Sequence, residues 1–363
     1  MENTSTIFFN GDFQDLGIGL DLLFFKGSTS SWKGIKLVKP GVHLLHLTDN
    51  NTNSRIGHFF NISKGEVAVV SILGKITELD KNNEIILDVS KNGNPMDFDI
   101  SCYNLSKFKH DESFQNNYLF KMVNISNLPD AKYLMTLWEG LGQIKWMEFV
   151  KNGKGKVSNN DCTKIELLEL NEEIYKNEEN KKKYLKDNTL YNWIENELEM
   201  TLLDFNKKKA LVRLDRIGIK RTEDYLDKSW IIDSLWGGDL NKVNNEIKFS
   251  FIMASVINNQ GCYDQWKKII HILLQSQRCI ESNQKLFLKF LTEFKAQVEI
   301  IFSMDEMEVD DELIKIQDII DDIHEFQLDI DFMGLSGHTI QFQLAEILQI
   351  IKSKGGIEVT QCL

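Results

Sequence analysis

A chain of 363 residues with 42% hydrophobic content is too long for one ordinary core and reads as a soluble globular protein of two domains. Its net charge of −12 argues against general attraction to nucleic acid or to an anionic membrane, while leaving local basic patches open. Five cysteines without close pairing fit a reducing compartment better than a disulfide framework, and neither a secretory leader nor an apolar run of the ~20 residues a bilayer span needs is expected.

In chain order, Thr6 to Phe9 is expected to form a first strand. From Leu16 to Phe60 apolar runs alternate with Gly17, Gly19, Gly27, Gly34, Pro40-Gly41 and Gly57. That spacing predicts consecutive short strands joined by turns. Val67 to Leu73 is a continuous apolar run, as in a strand covered on both faces. Lys75 to Leu79 and Ile85 to Val89 follow as strands, separated by the turn Asp80-Lys81-Asn82-Asn83. The stretch 92–127 is irregular. Pro129-Asp130 opens an expected helix through Val150, with Leu134, Leu137, Trp138 and Leu141 on one face. Residues 1–150 therefore read as an N-terminal mainly-β domain.

Residues 151–188 change character: dense in both charge signs, poor in apolar side chains. Such a stretch buries too little surface to offset the entropy of ordering, and it reads as a flexible linker with a helical turn at Ile165 to Leu170. An exposed charged helix is the alternative. From Leu190 the period becomes helical, after an extended segment between Thr201 and Leu214. Asn245 is the expected N-cap of a helix from Glu246 to Asn258 ended by Gly261, and Asp264 the expected start of the next. The apolar residues Ile247, Phe249, Phe251, Ile252, Met253 and Val256 cover most of the first helix, which predicts a central, buried position. Three more helices are expected over Leu286–Ile301, Leu313–Ile330 and Thr339 to about Ser353. Residues 189–354 are thus a helical domain, and the fold class is α+β.

The last residues, 355–363, begin with two glycines that end the last helix. Ile357, Glu358, Val359, Thr360 and Gln361 then alternate as in a strand, with no neighbouring strand in sequence. Such a segment is a disordered tail, a strand folded back on the N-terminal domain, or a strand added to a partner's sheet edge.

Few residues carry a pattern of reactive chemistry. His43 and His46 form H-x-x-H near His58, but strand residues three apart face opposite ways, so one metal ion held by both is not expected. The chain has no CxxC. Gly17-Ile18-Gly19 lacks the third glycine of a dinucleotide fingerprint, and Gly153-Lys154-Gly155-Lys156 lacks the strand and the G-K-[ST] of a phosphate loop. Asp310-Asp311-Glu312 and Asp321-Asp322 read as solvated helix faces, and Cys279 with His271 makes no catalytic frame. Trp266 reads as a core anchor, with a binding anchor as the alternative. No catalytic residue, cofactor site or metal site is therefore expected.

Specific segments resemble the AAR-two (A-one cistron splicing factor) family of U-five snRNP assembly factors. In the first domain they are Gly17-Ile18-Gly19-Leu20-Asp21, Trp32-Lys33-Gly34-Ile35-Lys36, Pro40 to His46 and Arg55-Ile56-Gly57-His58-Phe59-Phe60. In the second they are Asp224-Tyr225-Leu226-Asp227-Lys228-Ser229 and Glu246 to Phe251 followed by Gln265-Trp266. The resemblance implies a non-enzymatic assembly chaperone that binds the large spliceosomal scaffold (PRP-eight) at its RNase-H-like and Jab1/MPN-type domains, before the RNA helicase joins. It implies a VHS-like helical stack, a tail whose residues Ile357 to Gln361 bind the partner, and residence in cytoplasm and nucleus. No direct nucleic-acid or membrane partner is implied. The alternatives are a VHS-like peptide-binding adaptor and an uncharacterised histidine-dependent enzyme.

Overall fold

The structure, a computed structural model, describes residues 5–10, 16–25, 34–49, 54–64, 66–72, 85–90, 123–124, 156–158, 161–163, 197–198, 200–201, 203, 217–303, 317–332 and 338–355. The chain divides into two compact units, residues 1–159 and 160–363.

Ten strands are described in the first unit: β1 (Ser5–Asn10), β2 (Leu16–Leu20), β3 (Leu23–Phe25), β4 (Gly34–Val38), β5 (Gly41–Asp49), β6 (Arg55–Ile62), β7 (Val67–Ile72), β8 (Ile85–Ser90), β9 (Val123–Asn124) and β10 (Lys156–Ser158). They form two five-stranded sheets, ordered β8-β7-β1-β4-β9 and β10-β6-β5-β2-β3. The second sheet is antiparallel throughout, whereas β1 runs parallel to β7, and β4 to β9, in the first. The alternation of side chains explains the core. Leu16, Ile18 and Leu20 of β2, Leu45 and Leu47 of β5, and Phe60 and Ile62 of β6 share one buried cluster. They meet Ile7, Phe9, Ile35, Val38, Ala68 and Val70 from the other sheet.

The stretch expected to be linker contributes a strand. Lys156–Ser158 pairs with β6, with Val157 opposite Gly57 and buried. A single apolar residue among lysines, glycines and asparagines carries this strand, so composition averaged over the stretch hides it. Cys162–Thr163 (β11) pairs in parallel with Glu197–Leu198 (β12) in the second unit. The expected strand 75–79, the helix 130–150, the turn at 165–170 and most of the segment 201–214 lie outside the described residues.

Eight helices are described in the second unit: α1 (Ile219–Leu226), α2 (Ser229–Trp236), α3 (Leu240–Ile257), α4 (Gln260–Leu274), α5 (Gln277–Ser282), α6 (Gln284–Ser303), α7 (Gln317–Phe332) and α8 (His338–Gly355). The α+β class expected from sequence is what the two units show. Helix α3 is central: it packs against α2, α4 and α6, while α6 also packs on α8 and α4 on α7. Phe249, Phe251 and Trp266 are buried as expected, and Trp266 sits among Phe251, Tyr263 and Phe294. None of the described helices is long and apolar enough to cross a membrane.

The expected helix ends need correction. Helix α3 starts at Leu240, with Asp239 as N-cap accepting from the Asn241 amide at 3.0 Å, and Asn245 is buried in its interior. Leu240 and Val243 extend the apolar stripe backwards, and Gly237 (φ 66°) turns the chain just before it. At the other end Asn258 adopts the left-handed conformation (φ 61°) and closes the helix, three residues before Gly261. Asn259 then caps α4, accepting from the Cys262 amide at 3.0 Å, so Gly261 and Asp264 lie inside that helix.

Candidate functional site

His43 and His46 converge on Asp21. This residue closes the turn between β2 and β3 with φ 58°. Its amide donates to the Leu44 carbonyl at 2.7 Å, and its carboxylate Oδ1 accepts from the Leu44 amide at 2.9 Å. Oδ2 lies 2.8 Å from His43 Nδ1, and the other ring nitrogen of His43 lies 2.7 Å from the Lys39 carbonyl. Both ring nitrogens thus face acceptors, which suits the doubly protonated ring. Burial lowers the pKa of His43, but the charge and hydrogen bond of Asp21 and the Lys39 carbonyl outweigh it, and the net shift is upward.

His46 points to the opposite face of β5. It is buried, and its Nε2 donates to the Asp21 carbonyl at 3.1 Å. Burial first, then the nearby Arg55 guanidinium, push its pKa down to about 3, against a smaller upward pull from the Asp21 carbonyl. Gly19 lies opposite it in register and leaves room for the ring. His58 is buried on β6, opposite Leu45. Among the described residues no three His, Cys, Asp or Glu side chains are grouped to hold a metal ion. The arrangement ties the turn between β2 and β3 to β5.

A pH dependence follows. His46 stays neutral in the fold down to about pH 3, whereas an unfolded histidine takes its proton near about 6.5. Between those values the unfolded chain binds the extra proton, so this residue makes the fold lose stability as pH falls. We expect the wild type to lose roughly 1.4 kcal/mol per pH unit more than His46→Gln between about pH 6 and about pH 4. The contribution of His43 has the opposite sign: full below its unfolded pKa, and lost as pH rises through its raised folded value. The two windows do not overlap. Denaturant unfolding of both proteins across pH measures the difference, and parallel profiles would contradict it.

In the second unit, the residues of the sequence motifs act as fasteners. The Glu246 carboxylate accepts from the Thr201 amide (2.8 Å), the Thr201 hydroxyl (2.6 Å), Trp236 Nε1 (2.8 Å) and Gln265 Nε2 (2.9 Å). Gln265 also donates to the Thr201 carbonyl at 2.8 Å. One carboxylate on α3 therefore ties the segment at Thr201 to α2 and α4. Trp266 donates its indole N–H to Gln297 Oε1 at 2.8 Å, inside the core. Asp227 Oδ1 accepts from the Ser229 amide and hydroxyl, and that hydroxyl accepts from the Cys279 amide at 2.9 Å. The Lys228 amide donates to the Gln275 carbonyl at 2.8 Å. The turn between α1 and α2 is in this way pinned to the start of α5.

Cys279 is buried, and burial, with Asp233 and Asp227 adding to it, pushes its thiol up to about 11. It is a neutral thiol at physiological pH. His271 Nδ1 pairs with Asp322 Oδ1 at 2.7 Å between α4 and α7, so it and Cys279 have separate partners. Sequence reasoning missed the Glu246 hub and the Asp227–Ser229–Cys279 link. Their signal was present, since Asp227, Ser229, Glu246 and Gln265 all fall in the segments that carry the family resemblance. The tail residues Ile357 to Gln361 lie outside the described residues.

Comparison with known families agrees with this distribution of motifs. The profile of the AAR2 N-terminal domain matches residues 3–148, and that of the AAR2 C-terminal repeat region matches residues 202–358. The first match takes in the whole β2–β6 sheet region with its Asp21–histidine network, and the second takes in Trp236, Glu246 and Gln265 of the hub, begins one residue after Thr201 and reaches the beginning of the tail. With both domains matched in order over most of its length, the chain belongs to the AAR2 family of splicing-related U5 snRNP assembly factors.

Proposed function

We propose that the protein is a non-catalytic assembly chaperone of the U5 snRNP. It holds the large scaffold protein (PRP-eight) through the RNase-H-like and Jab1/MPN-type domains before the RNA helicase takes that place. The observation that carries this reading is the paired family match, 3–148 and 202–358. The Glu246 and Asp21 networks support it, because in each the polar side chains bond to one another or to backbone rather than converging on an open reaction site. The same reading places the protein in cytoplasm and nucleus and compares its helical stack with VHS domains.

Residues Ile357 to Gln361 are proposed as the recognition strand, added to a sheet edge of the scaffold through backbone hydrogen bonds. Deleting Gly356–Leu363 is expected to weaken binding to a scaffold fragment carrying both domains by roughly tenfold or more, with the melting temperature of the protein alone unchanged. Surface plasmon resonance and thermal melting read the two quantities. Amides of Ile357 to Gln361 are expected to gain protection from exchange in the complex. Unchanged affinity after the deletion would move the contacts to the folded units.

A further inference from the structure

The carboxylate of Glu246 divides its bonds evenly between two kinds of partner. Oε1 accepts from the Thr201 amide and from Gln265 Nε2, and Oε2 accepts from the Thr201 hydroxyl and from Trp236 Nε1. Each oxygen therefore has one donor on the segment at Thr201 and one on a helix. Asn259 repeats the arrangement. Its Oδ1 accepts from the Cys262 amide and caps α4, while its Nδ2 donates to the Asp161 carbonyl at 2.7 Å. Asp161 adjoins β11 and Thr201 follows β12, the two strands that pair with each other. These strands and the residues beside them form a flap laid on α3 and α4. Met200 Sδ of the flap lies 3.7 Å from Cys262 Sγ of α4, and Leu203 is buried.

A buried polar group that loses its only partner is costly, so the division of bonds decides what can come apart. If the flap alone held Glu246, lifting it would strand a carboxylate. With Trp236 and Gln265 in place each oxygen keeps a donor carried by a helix, and Asn259 keeps its cap. The polar groups of α2, α3 and α4 at this junction are therefore satisfied with or without the flap. The flap itself has a light hold: Asp161 and Leu203 are buried, while Met200 and Thr201 are half-buried. Segments with few buried apolar contacts open at lower free energy than the core they rest on. We propose that this flap is a latch, which undocks in a step of its own while α2, α3 and α4 stay folded. Its place gives the step a consequence. The last described strand of the first unit ends at Ser158, and Asp161 is where the chain first bonds to the described helices. Undocking moves that first hold from Asp161 to α1, which starts at Ile219. The proposal stands on hydrogen-bond geometry and not on the family reading.

The test is hydrogen exchange of the full chain, read at single amides by mass spectrometry and corrected for intrinsic rates. We expect the Thr201 amide to exchange roughly tenfold or more faster than the amides of Phe251 and Ile252 inside α3. Two variants separate the latch from the body. Thr201→Val removes the hydroxyl bond to Glu246 and keeps the amide, and should speed exchange at residue 201 roughly tenfold. Phe326→Leu loosens the buried contact of α7 with Phe287 of α6, and should speed exchange in α3 several-fold while leaving the Thr201 amide at its wild-type rate. Circular dichroism at the exchange temperature checks that both variants keep the wild-type helix content. Equal exchange of the Thr201 and α3 amides in the wild type would overturn the proposal, because the flap would then open only with the whole unit. So would acceleration of the Thr201 amide by Phe326→Leu in step with α3, or an unchanged rate at residue 201 in Thr201→Val.

Discussion

Lys248→Ala is expected to destabilise the second unit by about 3–5 kcal/mol. Lys248 lies on α3 and Glu293 on α6, the two helices that meet at the centre of the bundle. The ammonium is 3.0 Å from Glu293 Oε1, and each side chain is only 2% exposed. Taking two charges out of water is costly, and the pair repays that cost only while both members are present. Removing the lysine leaves a buried carboxylate with a half-exposed cation, Lys289, 3.9 Å away. The double variant Lys248→Met/Glu293→Leu fills similar volume without charge and is expected to recover most of the loss. Denaturant unfolding followed by far-UV circular dichroism, which reports the helical unit, reads all three proteins. A cost below about 1 kcal/mol for Lys248→Ala would mean that water reaches the pair.

Gly19→Ala is the second large effect, and it falls on the first unit. A Cβ at Gly19 would lie 1.9 Å from His46 Cε1 and 2.6 Å from the Leu23 carbonyl oxygen. One obstacle is a buried ring held by the Asp21 carbonyl, the other is backbone of the adjoining strand. Neither yields without separating β2 from β3 or β5. The expected cost is at the top of the range for overpacking, about 3 kcal/mol or more. Adding His46→Ala removes the ring but not the carbonyl, so it should restore only part of the loss. Full recovery in the double variant would show that the ring alone sets the limit.

Local patterns made much of this fold legible, and long-range partners made the rest illegible. Alternating apolar residues between turn glycines announced consecutive short strands from Leu16 to Phe60, where β2 to β6 lie, and the stripe over Ile247 to Val256 placed α3 at the centre. The ends of α3 were misread because Asn245 and Gly261 have the right chemistry for caps, while Asp239 and Asn258 hold the positions. Tertiary packing decides between such neighbours. Helix α1 escaped the period because its apolar residues face outward, where no stripe along a core is needed. Strand β10 escaped because three residues in a charged stretch carry almost no average. Of the histidines, sequence gave the opposed faces of His43 and His46 but not Asp21, which lies 22 residues before His43 and joins it only through the sheet. Glu246 and Thr201 are 45 residues apart and hold one another by the same kind of contact.

The pairing of β1 bears on how the chain is made. The first of the described strands takes an interior place in its sheet, between β4 and β7, with Thr6 beside Lys36 on one side and Val67 on the other. It has no parallel neighbour until the chain has grown past Ile72, and β6 has no outer neighbour until Ser158 has emerged. Synthesis at about 5–20 residues per second leaves these strand edges open for seconds. Open strand edges of this kind are where a growing chain is most prone to pair with other chains. Expression fragments that stop at residue 148, where the family match of the first domain ends, would also leave out β10 and keep the edge of β6 open permanently.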